Sequence, residues 1–408
     1  MDLAIGKPSL VWALALAAVA HSSTIAATVE YLSPPGQPFL PQSLSPDGSS
    51  AHLILNDGSS DDYFWSDEHG LVAIPVPNDP RYSSMGVLDV SADGSSFIGR
   101  ARSGANFVAL RWTTEGEISE LAGLPGGKVD SILPKAISAD GTLIVGISAF
   151  TNNDYEAVTW SNSDGSLTRL GHLGISPIYR EISSPRAVSS DASVIVGYSS
   201  RSDGTTRAFH WNTSEGMTEM PPSELTTHFS DASGVSANGR YAVGYGTSLQ
   251  HGTQAVIWDL VEDTALGLGT LPASAFPVPS HLTAYPDGSR AYAASDDGQI
   301  AIGVSSAFAR TNTFGDGVYF DRTFVWTPSS GIKTPMEFLV EHLGIDLNGA
   351  TISEVYDLSA DGKTWLASGL NADGMATAML VHLPIPEPAS LSIAKISILA
   401  LAAFRRRK

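Results

Sequence analysis

Residues 187–216 read AVSSDASVIVGYSSRSDGTTRAFHWNTSEG, and this pattern recurs about seven times between residues 44 and 383. Every copy has a turn dipeptide followed by an apolar run, and successive turns are 46 to 64 residues apart. The turns are Asp47-Gly48, Asp93-Gly94, Asp140-Gly141, Asp191-Ala192, Asn238-Gly239, Asp297-Gly298 and Asp361-Gly362. An aromatic residue follows at a fixed distance in most copies, as Trp65, Trp112, Trp160, Trp211, Trp258 and Trp326, while the seventh copy has Leu380 there.

Within one copy, alternation and turn signals predict four short strands, at 187–189, 194–198, 208–211 and 217–220. The Asp-Gly dipeptide supplies the positive φ that a tight hairpin needs. A period of 40 to 50 residues with four strands per copy is typical of a β-propeller blade. The sequence therefore predicts an all-β, seven-bladed β-propeller of four-stranded antiparallel blades, with the tryptophans and the Val/Ile runs packed between blades.

The two ends of the repeat region are offset by one strand. Residues 28–32, TVEYL, match a fourth strand, whereas the last copy stops after its third strand near residues 379–383. We expect the N-terminal strand to complete the seventh blade and close the ring, which removes free sheet edges.

Composition indicates a globular and strongly acidic protein. The 408 residues are 43% hydrophobic and 16% charged, with no cysteine and a net charge of −19. Six of the 23 basic and two of the 42 acidic residues lie outside 28–386, so the body is near −23. This charge argues against nucleic acid and anionic lipid as partners, and the missing cysteines exclude disulfides and Cys-based chemistry.

The N-terminus has the pattern of a secretory signal peptide. Residues 1–27 contain Lys7, the apolar run 10–20 and then small residues, which is too short to span a membrane. Cleavage after Ser22, Ala26 or Ala27 is compatible with the pattern, and we favour Ala27.

The C-terminal residues 384–408 change character abruptly. Pro386-Glu387-Pro388 is followed by an apolar run at 389–404, which predicts a transmembrane helix interrupted by Lys395, and then by Arg405, Arg406, Arg407 and Lys408. This order resembles the PEP-CTERM sorting signal of Gram-negative bacteria. The resemblance implies transient inner-membrane anchoring, processing by an exosortase-type membrane protease, and release to the outside or the cell surface, often with exopolysaccharide.

The repeat itself resembles the HAF repeat of bacterial extracellular proteins over most of residues 44–383. The match lies in Ala187, Ser189, Asp191, Ile195, Val196, Gly197, Ser199, Gly204, Ala208, Phe209, Trp211 and Gly216. It implies an extracellular repeat protein with a propeller fold and brings no established chemistry.

Long loops are the regions where we expect a ligand to bind. They are predicted at 149–155, 170–185, 199–207, 269–286 and 306–322. The last is the candidate ligand loop, because it contains aromatic and acidic side chains that suit a sugar or a cation. The alternative is an ordinary loop that lies on its own blade. The residues concerned are Phe314, Asp316, Tyr319, Phe320 and Asp321. Residues 335–347 have apolar residues at helical spacing and predict a short helix, on which His342 is expected to be a partly buried histidine.

No catalytic, cofactor-binding or metal-binding residues are predicted. The recurring aspartates are turn formers, and no nucleophile elbow, zinc-protease or phosphate-loop motif occurs. The sequence thus favours a non-catalytic extracellular binding or matrix protein whose partner is exopolysaccharide or another surface protein. The alternative is a propeller enzyme, a glycosidase or lyase, that acts on extracellular polysaccharide. Calcium bound by the Asp-rich loops is a further hypothesis.

Overall fold

A computed structural model describes residues 27–59, 61–127, 131–150, 154–176, 178–279, 282–310 and 318–384. The fold is all-β, with 54% strand. Helix in the described residues is confined to short segments, among them Glu224–Thr226, Ala273–Ala275 and the π-helix Glu337–His342. No helix in these ranges is long and apolar enough to cross a membrane, and the predicted segment 389–404 lies outside them.

The strands fall into consecutive groups of four, which we number 1 to 7. Groups 1 to 3 contain β2 (Phe39–Leu44), β3 (Ser50–Leu55), β4 (Asp62–Ser66) and β5 (Gly70–Ala73); β6 (Met85–Val90), β7 (Ser96–Ser103), β8 (Asn106–Thr113) and β9 (Ile118–Glu120); β10 (Ile132–Ile137), β11 (Leu143–Ala149), β12 (Tyr155–Ser161) and β13 (Leu167–Gly171). Groups 4 to 6 contain β14 (Ser183–Val188), β15 (Ile195–Ser200), β16 (Thr206–Asn212) and β17 (Gly216–Glu219); β18 (Phe229–Val235), β19 (Tyr241–Ser248), β20 (Gly252–Asp259) and β21 (Thr264–Gly269); β22 (Thr283–Ala294), β23 (Ala301–Arg310), β24 (Val318–Thr327) and β25 (Gly331–Lys333). Group 7 contains β26 (Thr351–Leu358), β27 (Thr364–Leu370), β28 (Ala376–His382) and β1 (Thr28–Tyr31).

Each group is an antiparallel meander, and group 7 combines both ends of the repeat region. Its strand order is β1-β28-β27-β26, with Thr28 opposite His382 and Tyr31 opposite Met379. This is the strand pairing predicted from the offset in the sequence. Single parallel bridges, Thr206 to Phe229 and Thr253 to Gly288, join groups 4, 5 and 6 into one twelve-stranded sheet.

The turn between the first and second strands is held by one serine in every group. Its hydroxyl donates to the Asp or Asn side chain two residues later, at 2.6 to 2.8 Å, and accepts the N–H five residues later, at 2.9 to 3.0 Å. These serines are Ser45, Ser91, Ser138, Ser189, Ser236, Ser295 and Ser359. The hydrogen bonds satisfy turn groups that a bare hairpin leaves to water, which explains why the sequence repeats a serine two positions before the aspartate.

The core lies between neighbouring groups rather than within them. Seven apolar clusters each join two groups, and one of them packs Leu366 and Leu380 of group 7 on Leu53 and Trp65 of group 1. The predicted role of the tryptophans is confirmed for most of them, since Trp112, Trp160 and Trp258 are at most 1% exposed. Each of these three indole N–H groups donates to a backbone carbonyl in the segment that follows the preceding group, for Trp160 to Ala122 O at 2.7 Å.

Two local expectations were wrong. The predicted helix is present as the π-helix Glu337–His342, with Phe338 and Leu339 buried, but His342 is exposed and lies against the Phe338 ring. The described residues of the loop predicted at 306–322 are strand, because β23 continues to Arg310 and β24 begins at Val318. The two strands pair in register from Ala301 to Ala309.

Candidate functional site

The first strand of every group contains a β-bulge at the same position. The register with the second strand shifts by one residue there, in β2, β6, β10, β14, β18, β22 and β26. We call the seven unpaired residues the bulge ring: Gln42, Leu88, Lys135, Arg186, Ser233, Tyr292 and Tyr356. Each lies three positions before the turn serine of its group. A bulge redirects a side chain out of the regular alternation, and bulges are frequent beside functional sites.

A glycine faces the bulge in five groups, whereas Leu53 and Ala367 occupy the same position in groups 1 and 7. Gly99, Gly146, Gly197, Gly244 and Gly303 pair with the residue just before the bulge. A Cβ atom at these glycines would lie 2.0 to 2.4 Å from a carbonyl oxygen of the first strand, which is far inside van der Waals contact. In these five groups the first strand approaches so closely that a side chain does not fit, so the local backbone geometry requires the glycine there.

All seven members of the bulge ring line one cavity. Its volume is about 460 Å³, and its other lining residues come mainly from the first strands and turns of the same seven groups, with Ser50, Ala51, His52 and Phe64 added by the second and third strands of group 1. A cavity of this size lies in the range of small-molecule sites, roughly 300 to 1,000 Å³. Because the seven ring residues are of six different types while their frame is constant, the chemistry of the cavity wall changes from one side to the other.

Cations dominate one side of the cavity. Arg186 donates to the buried Asp231 through Nε and Nη2, at 3.2 and 2.9 Å, and its guanidinium lies 5.0 Å from the centre of the Tyr198 ring. Lys135 lies on the neighbouring group. Burial and the nearby charge of Arg186 together lower the pKa of Lys135, with no acidic partner to offset them.

Aromatic side chains form the next part of the wall. The Tyr292 hydroxyl donates to Val355 O at 2.6 Å, and burial raises its pKa above the ordinary value. The Tyr356 hydroxyl donates to Glu354, and burial raises the pKa of Tyr356 to about 12. Both phenols are therefore neutral hydrogen-bonding groups at physiological pH, and both rings border the cavity.

Two buried carboxylates lie one residue beyond the bulge and connect neighbouring groups. Asp357 accepts the N–H of Leu358 and, across to group 1, the N–H of Leu44, both at 2.8 Å. Asp89 of group 2 accepts the N–H of Ile137 of group 3 at 3.0 Å. Burial raises the pKa of Asp357 to about 6 and raises that of Asp89 as well. These carboxylates hold the first strands together, so their oxygens are engaged by the protein itself.

The candidate ligand residues named from the sequence lie elsewhere. Tyr319, Phe320 and Asp321 are in β24, where Tyr319 is 62% exposed beside the Phe308 ring and Asp321 accepts from Ser306 Oγ at 2.6 Å. Successive strand residues point to opposite faces, so the three do not converge. Phe314 and Asp316 lie outside the described residues, and a ligand role for the five stays a prediction.

Of the residues named for the two processing signals, Ala27 lies within the described ranges. Ala27 is 3% exposed in the apolar cluster between groups 6 and 7. The sorting-signal residues fall outside the described ranges: Pro386, Glu387, Pro388, Arg405, Arg406 and Arg407. Among the described residues, no group of three or more His, Asp or Glu side chains is arranged to hold a metal ion.

Sequence reasoning missed the bulge ring, although the chain contains a signal for it. The residue three positions before the turn serine is Gln, Leu, Lys, Arg, Ser or Tyr in the different groups. The strand before it and the turn after it are present in every group. A variable position inside a constant frame can determine which ligand a protein binds. Three of the bulges directly follow a proline, which normally indicates a loop: Pro41, Pro134 and Pro185.

A second cavity, of about 700 Å³, lies between groups 3 and 4 and extends to group 2. Thr159, Asn162 and the half-buried Trp211 line it, together with Arg111, which donates to Asn162 O at 2.9 Å. Thr159 occupies the position at which group 2 has Arg111 and group 4 has His210. The shorter side chain leaves this space open, which explains why Trp211 is less buried than Trp160.

Comparison with known proteins gives structural similarities only. No family model and no curated protein matches the chain. Similar solved structures include TolB from Acinetobacter baumannii, with 13% identity and a TM-score of 0.39 over 84% of this chain and 65% of that one, less than two thirds of its length. Two others are an oligogalacturonate lyase in complex with manganese (13% identity, TM-score 0.46, covering 89% and 94%) and the β-propeller domain of the Trilobed protease from Pyrococcus furiosus (9% identity, TM-score 0.42, covering 87% and 95%).

Proposed function

We propose that the seven groups are the blades of a closed seven-bladed β-propeller, with β1 completing the last blade. Three observations support this. β1 pairs with β28, an apolar cluster joins group 7 to group 1, and the Asp-Gly turns bond to one another between groups. For example, Asp296 N donates to Ala360 O, and Ala360 N donates to Pro46 O, both at 2.7 Å.

We further propose that the protein is a non-catalytic, extracellular or cell-surface binding protein of a bacterial matrix. The observation that carries this proposal is the bulge ring, in which seven repeats contribute side chains of six different types to one cavity. Such an arrangement suits recognition, because the frame is rigid and the groups that touch a ligand are placed independently. The partner that we favour is extracellular polysaccharide, and the alternative partner is a surface protein.

The export route in this proposal comes from the two terminal segments. Residues 1–27 direct secretion with cleavage after Ala27, residues 28–383 form the exported body, and residues 384–408 are processed by an exosortase-type protease. Mass spectrometry of the form recovered outside a Gram-negative host tests this route. We expect a mature protein that lacks both ends, and recovery of the intact 408-residue chain from the cytosol would contradict it.

Binding is tested with that secreted form and polysaccharide extracted from the same host. We expect measurable binding that weakens about tenfold or more in Ser233→Trp, which fills the cavity, and that stays unchanged in Ser214→Trp on an exposed turn outside the predicted ligand loops. Equal binding by both variants would exclude the cavity as the site. Release of new reducing ends or unsaturated sugars from the polymer would favour the alternative, a glycosidase or lyase.

A further inference from the structure

We propose that the ligand of this cavity carries a carboxylate, as in a uronic-acid-containing oligosaccharide, and that Lys135 and Arg186 bind that carboxylate. This inference rests on the proposed binding function and specifies the chemical class of its ligand. It is carried by the distribution of charge around the bulge ring.

The ring contrasts with the protein around it. The chain has a net charge of −19, and acidic residues outnumber basic ones 42 to 23. The bulge ring nevertheless has two cations and no acid, and its cations, Lys135 and Arg186, lie on neighbouring groups. In a chain of this composition, adjacent cations facing one cavity indicate a site for an anion.

The counter-ions already present leave one cation unmatched. Asp231 is engaged by Arg186 through two nitrogens, and the ion pair is flanked by the Tyr198 ring. Asp89 and Asp357 also line the cavity, but their carboxylates already accept backbone N–H groups of the neighbouring groups. Lys135 forms no ion pair or hydrogen bond with any part of the chain that the structure describes, and the charge of Arg186 disfavours its protonated form. A bound anion would give Lys135 an ionic partner and would favour its protonated form.

The remaining ring residues favour a sugar acid over a simple inorganic anion. Gln42 and Ser233 offer hydrogen-bonding groups, while Tyr292 and Tyr356 offer aromatic faces with neutral hydroxyls. Hydroxyl-rich ligands with an apolar ring face need this combination, whereas a small anion needs only the cations. A volume of about 460 Å³ suits one or two sugar units.

Calorimetric titration of the secreted protein with short oligomers of galacturonic acid, and with galactose oligomers of equal length, tests the inference. We expect the acidic oligomer to bind more tightly and to weaken with added salt. Lys135→Met, which keeps the aliphatic stem, should lose about tenfold in affinity or more, whereas Lys135→Arg should stay within about threefold. Lys333→Met in β25, away from the cavity, is the matched control and should bind like the unmodified protein.

The outcomes separate this inference from the proposed function. Equal binding of neutral and acidic oligomers, or an unchanged affinity in a folded Lys135→Met variant, overturns the carboxylate assignment and leaves a sugar-binding protein. Inorganic phosphate that competes as well as the sugar acid also overturns it, in favour of a simple anion site. If neither oligomer binds and the host polysaccharide does not bind, the proposed function fails as well.

Discussion

The residue three positions before each turn serine is free to vary because its neighbours are not. The serine is fixed by two hydrogen bonds in every group, and the glycine opposite the bulge is fixed in five groups by the nearby carbonyl. Between them, the bulge residue contributes little to the sheet, so its side chain can be changed without disturbing the fold. The same geometry that requires a glycine at 197 therefore gives Arg186 its exposure to the cavity.

Substituting Gly197 tests that coupling. In Gly197→Ala the new methyl group would lie 2.1 Å from Ser184 O, so the first strand must move, and we expect the free energy of unfolding to fall by about 1–3 kcal/mol. Gly86→Ala is the control, because no atom lies within 4 Å of a Cβ at that strand glycine. Its effect should stay within about 0.5 kcal/mol. Similar losses for the two variants in chemical denaturation would show that the bulge does not impose the glycine.

Asp357 makes stability depend on pH. Burial raises its pKa from 3.8 to about 6, so the folded state favours the protonated carboxyl, and this contribution is complete below about pH 4 and lost as the pH rises through about 6. We expect the free energy of unfolding to increase by about 1 kcal/mol from pH 7 to pH 5. The turn aspartates act in the opposite direction at lower pH, since hydrogen bonds such as those from Ser45 to Asp47 lower their pKa.

Denaturation at pH 5 and pH 7 tests this assignment. Asp357→Asn, which resembles the neutral carboxyl, should remove most of the increase, whereas Asp346→Asn on an exposed loop should keep it. The assignment is contradicted by a wild-type protein of equal stability at both pH values, or by an undiminished increase in Asp357→Asn.

At the scale of elements, strand number and order follow from the sequence, but strand limits do not. The four strands expected at 187–220 are present as β14 to β17, and the first begins four residues earlier than predicted. Pro185 caused the difference, because proline is rare inside sheets and tolerated at bulges. The bulge ring was missed because the predicted strand at 187–189 begins one residue after Arg186, so the position was not counted as part of the sheet.

Tryptophan substitutions test which elements carry the packing between groups. Trp258 is fully buried and donates from Nε1 to Pro221 O at 3.2 Å, so Trp258→Ala should lower the free energy of unfolding by about 3–5 kcal/mol. Trp211 is half-buried beside the second cavity, and we expect less than half of that loss in Trp211→Ala. A larger loss for Trp211→Ala than for Trp258→Ala in chemical denaturation would mean that the space beside Thr159 is filled.

At the scale of the whole molecule, the offset of one strand between the two ends is what the sequence predicts best. The offset could be recognised because the copies align on their turns, which local hydrogen bonds determine. The cavity could not be recognised in this way. It depends on seven residues that are distant in the chain and alike only in position, and its charge becomes visible only when Lys135 and Arg186 are seen on neighbouring groups.

Closure of the proposed ring is the central claim, and an engineered disulfide tests it directly. The chain has no cysteine, and Thr28 lies opposite His382 in the β1–β28 pair, at a spacing of about 4.5–5.5 Å that a disulfide can bridge. After oxidation of monomeric Thr28→Cys/His382→Cys protein, peptide mapping by mass spectrometry should find one intramolecular disulfide. The Thr28→Cys/Thr351→Cys control should form none, because β26 is at the far edge of that sheet. Intermolecular dimers, or free thiols in the first variant, would contradict the closed ring.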